Sequence, residues 1–126
     1  MSEPDEETEI TPEELNELVE SGADVRIVDI RSQAQFERGA IPGSENVPFQ
    51  RLPREIEELA GQEEVVTVCP HGKASLQAVR IIDSYEGTTG RVRSLAGGLD
   101  AWTREYELET GERSESDRGT EADAPF

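Results

Sequence analysis

Cys69 is the one cysteine in the chain, and its surroundings decide whether it acts as a reagent or as packing. It stands within Val65–Ser75, VVTVCPHGKAS. Val65, Val66 and Val68 make a β-branched apolar run, which is the pattern of a strand. Pro70, His71, Gly72, Lys73, Ala74 and Ser75 then turn the chain, and Leu76, Val79 and Ile82 follow at helical spacing with Arg80 and Asp83 between them. The thiol is therefore placed at the carboxyl end of a strand, immediately before a helix. The first N–H groups of a helix lack intrahelical partners and carry partial positive charge. That setting favours the thiolate, the reactive form of the sulfur, and it makes a site for an anion. A cysteine at a strand end is also a common packing residue. Gly72, the cationic Lys73 and the strand–loop–helix frame favour the reactive reading.

The elements that must hold this loop alternate along the chain. Met1–Glu9 is acidic and reads as a flexible leading segment. Thr11-Pro12-Glu13-Glu14 has the form of a capping box with proline at the first helical position. Leu15, Leu18 and Val19 give that helix its apolar stripe, and Gly22 closes it. Val25–Ile30, VRIVDI, reads as a buried parallel strand and runs into Arg31. Ser32 opens a short helix through Glu37, with Phe36 as its core contact and Gly39 as its stop. Ala40–Phe49 carries two prolines and a glycine, so it reads as a turn into a very short strand near Asn46–Val47. Pro53–Ala60 has helical spacing at Ile56, Leu59 and Ala60. The Val65 strand, the Cys69 loop and a helix over Ser75–Tyr85 follow. Arg91–Leu95 is the last strand, and Ala96-Gly97-Gly98 leads into a short helix with Leu99 and Trp102. Residues 109–126 turn polar and read as a flexible tail, which leaves 10–108 as one folded domain. This order predicts an α/β fold with a mostly parallel central sheet and helices on both faces. Ligands in such sheets bind at the carboxyl ends of the strands. The ends at Asp29–Arg31 and at Cys69 can therefore share one rim.

Composition narrows the partners. The 126 residues suffice for one domain with a core. Asp and Glu number 29 against 12 Lys and Arg, a net charge of −17, and Lys73 is the one lysine. Nucleic acid and anionic membranes call for a basic face, so neither is expected as a partner. No apolar run approaches the roughly 18 residues that a membrane span needs, and the acidic N-terminus does not resemble a secretory signal. A single cysteine cannot close an internal disulfide, which points to a reducing cytoplasm. The acidic, lysine-poor balance resembles that of proteins from salt-accumulating halophiles. At about 1 M salt the Debye length is only about 3 Å, and self-repulsion is largely screened.

Four stretches, in order, resemble the single-domain rhodaneses. Val28-Asp29-Ile30-Arg31 is similar to that family's Asp-x-Arg strand end. Phe36–Pro48, FERGAIPGSENVP, is similar to its F/Y-x-x-G-H-I-P-G-A-x-N-I-P stretch. Cys69–Ser75 is similar to its C-x-x-G-x-R-S loop, and Leu95–Trp102, LAGGLDAW, to its closing L-x-G-G-x-x-A-W. The chain departs from the pattern at Ala40, where histidine is usual. It departs again at Ala74, where many members have arginine and the loop cation here is Lys73, one position earlier. Pro70, lacking an N–H, removes one donor from the loop.

The resemblance implies a rhodanese-like fold and sulfur transfer through a persulfide on Cys69. The expected donor is a small sulfur-bearing anion such as thiosulfate, and the expected acceptor is a thiol or a protein. This chemistry needs an activated thiolate and an anion cradle, and it calls for no cofactor. One histidine and one cysteine make no zinc site. Backbone N–H groups from His71 to Ser75, freed to turn by Gly72, are the expected cradle, so His71, Gly72, Lys73, Ala74 and Ser75 are the candidate substrate-binding residues. Lys73 either holds the donor's anionic group or faces solvent. His71 is expected to face water, and Ser75 to cap the helix. Asp29, Arg31 and Glu37 are expected to form an ion-pair set that positions the loop, and Trp102 to lie in the core. Two other readings stand beside this one. Phosphatases and arsenate reductases of the same fold use a longer loop with arginine six positions after the cysteine, where this chain has Ser75, and its next arginine is Arg80. Binding or regulatory modules of the fold usually lack the cysteine that is present here.

Overall fold

The computed structural model of the chain describes residues 8–110. The flexible segments expected at either end lie, apart from Thr8, Glu9, Glu109 and Thr110, outside the described residues. Helix α1 spans Pro12–Glu20 and opens on the expected capping box. The Thr11 hydroxyl accepts from the Glu14 N–H at 3.1 Å, and the Glu14 carboxylate accepts from the Thr11 N–H at 3.1 Å. Such a cap stabilises a helix by about 1 kcal/mol. Ser21 caps the other end, and Gly22 beyond it takes φ +78°. Helix α2, Gln33–Arg38, starts on a second capping box, with Ser32 and Gln35 reciprocating. Its expected core contact is corrected: Phe36 is only half-buried and joins neither core cluster, and none of the six residues of α2 is buried.

Five strands make one sheet: β1 Glu9–Ile10, β2 Arg26–Asp29, β3 Glu45–Asn46, β4 Glu64–Val68 and β5 Arg91–Leu95, in the order β1-β5-β4-β2-β3. Every pairing within it is parallel. Glu9, expected in the leading acidic segment, pairs with Ser94. At the other end Glu109 exchanges two backbone hydrogen bonds with Ala40, at 2.7 and 2.8 Å. Both pairings join acidic residues to the fold, because backbone pairing does not depend on side-chain polarity.

Alternation along β4 divides the core. Val65, and beyond Thr67 the sulfur of Cys69, face a cluster with Val28, Ile30 and Val92. Helices α3, Leu52–Ala60, and α4, Ala74–Asp83, cover this side with Leu52, Leu59, Ala78, Val79 and Ile82. Val66 and Val68 face the opposite cluster, where α1 supplies Leu15 and α5, Gly98–Trp102, supplies Leu99 and Trp102. Burial of each such large side chain is worth about 1.5–3 kcal/mol. β4 is the middle strand, buried on both sides, so the loop that leaves its carboxyl end starts from a rigid point. Among the described residues, no helix is long and apolar enough to cross a membrane.

Candidate active site

The loop after β4 is held by backbone on two sides. Ile30 N–H donates to Val68 O at 3.0 Å, which ties the end of β2 to the residue before Cys69. From below, the start of α5 supplies donors: Leu99 N–H to Cys69 O at 2.9 Å and Asp100 N–H to Pro70 O at 3.0 Å. The approach is close enough to require glycine. A Cβ at Gly98 would lie 2.3 Å from Cys69 O and 2.6 Å from Gly72 N, at φ +63°. One at Gly72, whose φ is +88°, would lie 3.0 Å from Gly97 N. Gly72 uses that left-handed conformation to turn its N–H back toward the sulfur.

Cys69 is 2% exposed, and its Sγ accepts from two backbone N–H groups and donates to one hydroxyl oxygen. Gly72 N–H donates to it at 3.1 Å and Ser75 N–H at 3.3 Å, while Ser75 Oγ lies 3.3 Å away. The expected cradle spanned His71 to Ser75, and the two N–H groups that reach the sulfur are those of Gly72 and Ser75. The expectation that Ser75 caps the helix is corrected. Lys73 occupies the N-cap position without a side-chain cap bond, so Ser75 falls inside the first turn of α4, fully buried. Its hydroxyl points at the sulfur and, on the other side, at Ser94 Oγ 2.6 Å away. Its carbonyl accepts from the Thr67 hydroxyl at 2.8 Å.

His71, Lys73 and Ala74 lie on the exposed side of the loop. Asp29 and Arg31 form a two-pronged pair: Arg31 Nε donates to Asp29 Oδ1 at 2.9 Å and Nη2 to Oδ2 at 2.7 Å. Arg31 Nη2 also donates to Gly39 O at 2.7 Å, and Asn46 Nδ2 donates to the carbonyls of Asp29 and Arg31 at 3.0 and 2.9 Å. The pair braces the excursion between β2 and β3. Glu37 is not a member of it, which corrects the expected three-residue set. Glu37 stands exposed on α2 and accepts from Gln33, one turn earlier, at 3.0 Å. Spacing in the chain could not reveal this, because α2 turns Glu37 away from the rim.

Ser94, Thr67, Gly97 and Gly98 were not singled out as site residues by the sequence. A signal for the first two was present: each is a hydroxyl at a position where strand alternation calls for an apolar side chain. No group of three or more His, Cys, Asp or Glu that could hold a metal stands among the described residues.

A parallel α/β sheet with a cysteine in a donor-lined loop at its carboxyl rim defines a class of domain. The rhodanese-like domain model matches residues 11–105, and the chain belongs to that family. It is 34% identical over 96 residues to a sulfurtransferase of Allochromatium vinosum, covering 76% of this chain and 88% of that one. It is 32% identical over 101 residues to the thiosulfate sulfurtransferase GlpE of Pseudomonas aeruginosa, covering 80% and 88%. Among solved structures, the human single-domain sulfurtransferase TSTD1 superposes with a TM-score of 0.69 at 30% identity, over 80% of this chain and 98% of that one.

Proposed function

We propose that this protein is a sulfurtransferase that carries a sulfane sulfur on Cys69, from a small anionic donor such as thiosulfate to a thiol or protein acceptor. The observation that carries the reading is the pair of backbone donors converging on one buried sulfur, Gly72 N–H and Ser75 N–H, with the Ser75 hydroxyl in hydrogen-bond contact beside them. A neutral packing thiol has no need of them, whereas an anionic sulfur shut away from water does. In the first step the Cys69 thiolate attacks the outer sulfur of thiosulfate. The Sγ–S bond forms, the S–S bond of the donor breaks, and sulfite leaves with the electron pair. In the second step a thiophile attacks that outer sulfur, the Sγ–S bond breaks, and its electron pair returns to Cys69 as thiolate. Neither step requires a proton at the reacting sulfur, so the site works without a histidine or carboxylate base beside it. Lys73 is the cation that meets the donor at the mouth, and the Asp29–Arg31 pair supports the rim from β2.

Phosphoryl transfer on the same frame is disfavoured by Ser75. It occupies the sixth position after Cys69 and is buried against the sulfur, where a guanidinium would be needed to clamp phosphate charge. Steady-state thiosulfate–cyanide kinetics tests the proposal, with hydrolysis of an aryl phosphate measured alongside. The expected result is thiocyanate production that is lost in Cys69→Ser, with no Cys69-dependent phosphate release. Turnover retained in Cys69→Ser, or efficient Cys69-dependent phosphatase activity, would overturn it.

A further inference from the structure

Three hydroxyl side chains occupy the buried face beneath Cys69, where the fold otherwise places aliphatic ones. Thr67 and Ser94 are direct neighbours across β4 and β5, and both are fully buried. Two residues earlier in each strand the same face carries Val65 and Val92. Ser75 comes down onto them from α4, also fully buried. Burying a hydroxyl costs free energy unless it is hydrogen-bonded, so this cluster persists because its members satisfy one another. Thr67 pins the Ser75 carbonyl. That leaves the Ser75 side chain between two partners, Ser94 Oγ at 2.6 Å and Cys69 Sγ at 3.3 Å.

We propose that Ser94 is a positioning residue for the reactive sulfur, acting through Ser75. A hydroxyl carries one proton to donate and can accept as well. When Cys69 is ionised, Ser75 O–H donates to Sγ and Ser94 O–H donates to Ser75 Oγ. When Cys69 is protonated, its S–H donates to Ser75 Oγ, and Ser75 O–H turns round to Ser94 Oγ. The sulfur's own proton leaves to solvent base, and none is stored in the cluster. Ser94 therefore holds Ser75 in line with Sγ in both states and polarises the Ser75 O–H when the sulfur is negative, as chains of hydrogen bonds do in a low dielectric. Thr67, which bonds the carbonyl, fixes where Ser75 sits, and Ser94 fixes which way its hydroxyl points.

The assignment rests on the sulfur-transfer reading only for its use in turnover, so its test includes a reaction that needs no sulfur donor. The rate of Cys69 alkylation by iodoacetamide at fixed neutral pH, and kcat and KM for thiosulfate, are measured for Ser75→Ala, Ser94→Ala, the double variant and Ser94→Thr. Unfolding midpoints check that each variant is folded. Ser94→Ala should slow alkylation and lower kcat by about three- to tenfold, the scale of one lost hydrogen bond between neutral groups, with KM unchanged. The double variant should be no slower than Ser75→Ala, because residues acting through one another are not additive. Ser94→Thr, which keeps the hydroxyl, should recover most of the rate. Alkylation of Ser94→Ala at the wild-type rate, a double variant slowed by the product of the two single effects, or no recovery in Ser94→Thr would overturn the assignment. If alkylation follows the expected pattern while no variant, nor the wild type, transfers sulfur, Ser94 keeps its role and the proposed activity fails.

Discussion

A sulfur that is 2% exposed has little water to stabilise a negative charge, so the protein must supply the donors. It does so with the backbone N–H groups of Gly72 and Ser75, neither of them titratable near neutral pH, so the cradle keeps its character over a wide pH range. Lys73 plays a different part. It is exposed, and a contact with the donor's anionic group would be made equally before and during sulfur transfer. Lys73→Ala should raise KM for thiosulfate by about two- to fivefold at low salt with kcat nearly unchanged, the modest effect of an exposed charge. The effect should fade as salt rises. Steady-state kinetics at several salt concentrations checks this, and a KM that ignores the substitution at every salt would make Lys73 a surface charge and nothing more.

The loop's shape depends on α5 as much as on β4. The N–H groups of Leu99 and Asp100 hold the carbonyls of Cys69 and Pro70, and Gly98 lets the two backbones meet. Gly98→Ala would drive a methyl group into Cys69 O and Gly72 N, so the loop must move off its seat. The expected cost is about 1–3 kcal/mol of stability, with the larger loss in the alkylation rate of Cys69. Denaturant unfolding and alkylation rates measure the two, and wild-type values for both would contradict the packing described here. What was legible in the sequence follows the range of the interactions. The caps at Thr11 and Ser32, strand β5 over Arg91–Leu95, and the strand–loop–helix frame of Cys69 are settled by residues within four positions of one another. The pairing of Thr67 with Ser94 and the contact of Gly98 with Cys69 join segments some thirty residues apart, and they exist only once β4 and β5 lie in register. For the same reason local rules misplace Ser75: a serine near a helix start is a capping residue by those rules, and the sulfur and Ser94 override them here. Glu37 is the opposite case, a charge that suggests a distant pair while its partner is Gln33 on the same helix.

The whole molecule carries a net charge of −17, and the twelve basic side chains are spent in part on pairs between elements. Arg26 bonds Glu45 and Glu58, tying β2 to β3 and α3, and the hydrogen bond with Glu45 raises its pKa above the ordinary guanidinium value. Arg91 and Arg93 both pair with Glu64 across β4 and β5. Salt weakens these pairs, but it also screens the more numerous like-charge repulsions. Repulsion outweighs the pairs in a chain with 29 acidic and 12 basic side chains, so added KCl should raise the unfolding temperature. Thermal unfolding from low salt to about 2 M KCl checks this, and a midpoint that falls across the series would contradict a surface suited to high salt. The same field would repel the anionic donor proposed for Cys69, and the sulfur itself is the place to test that proposal. The direct measurement is the intact mass of the protein after incubation with thiosulfate. The account predicts a gain of one sulfur atom, removed by cyanide or dithiothreitol and absent in Cys69→Ser. An unchanged mass in the wild type, or the same gain in Cys69→Ser, would contradict it.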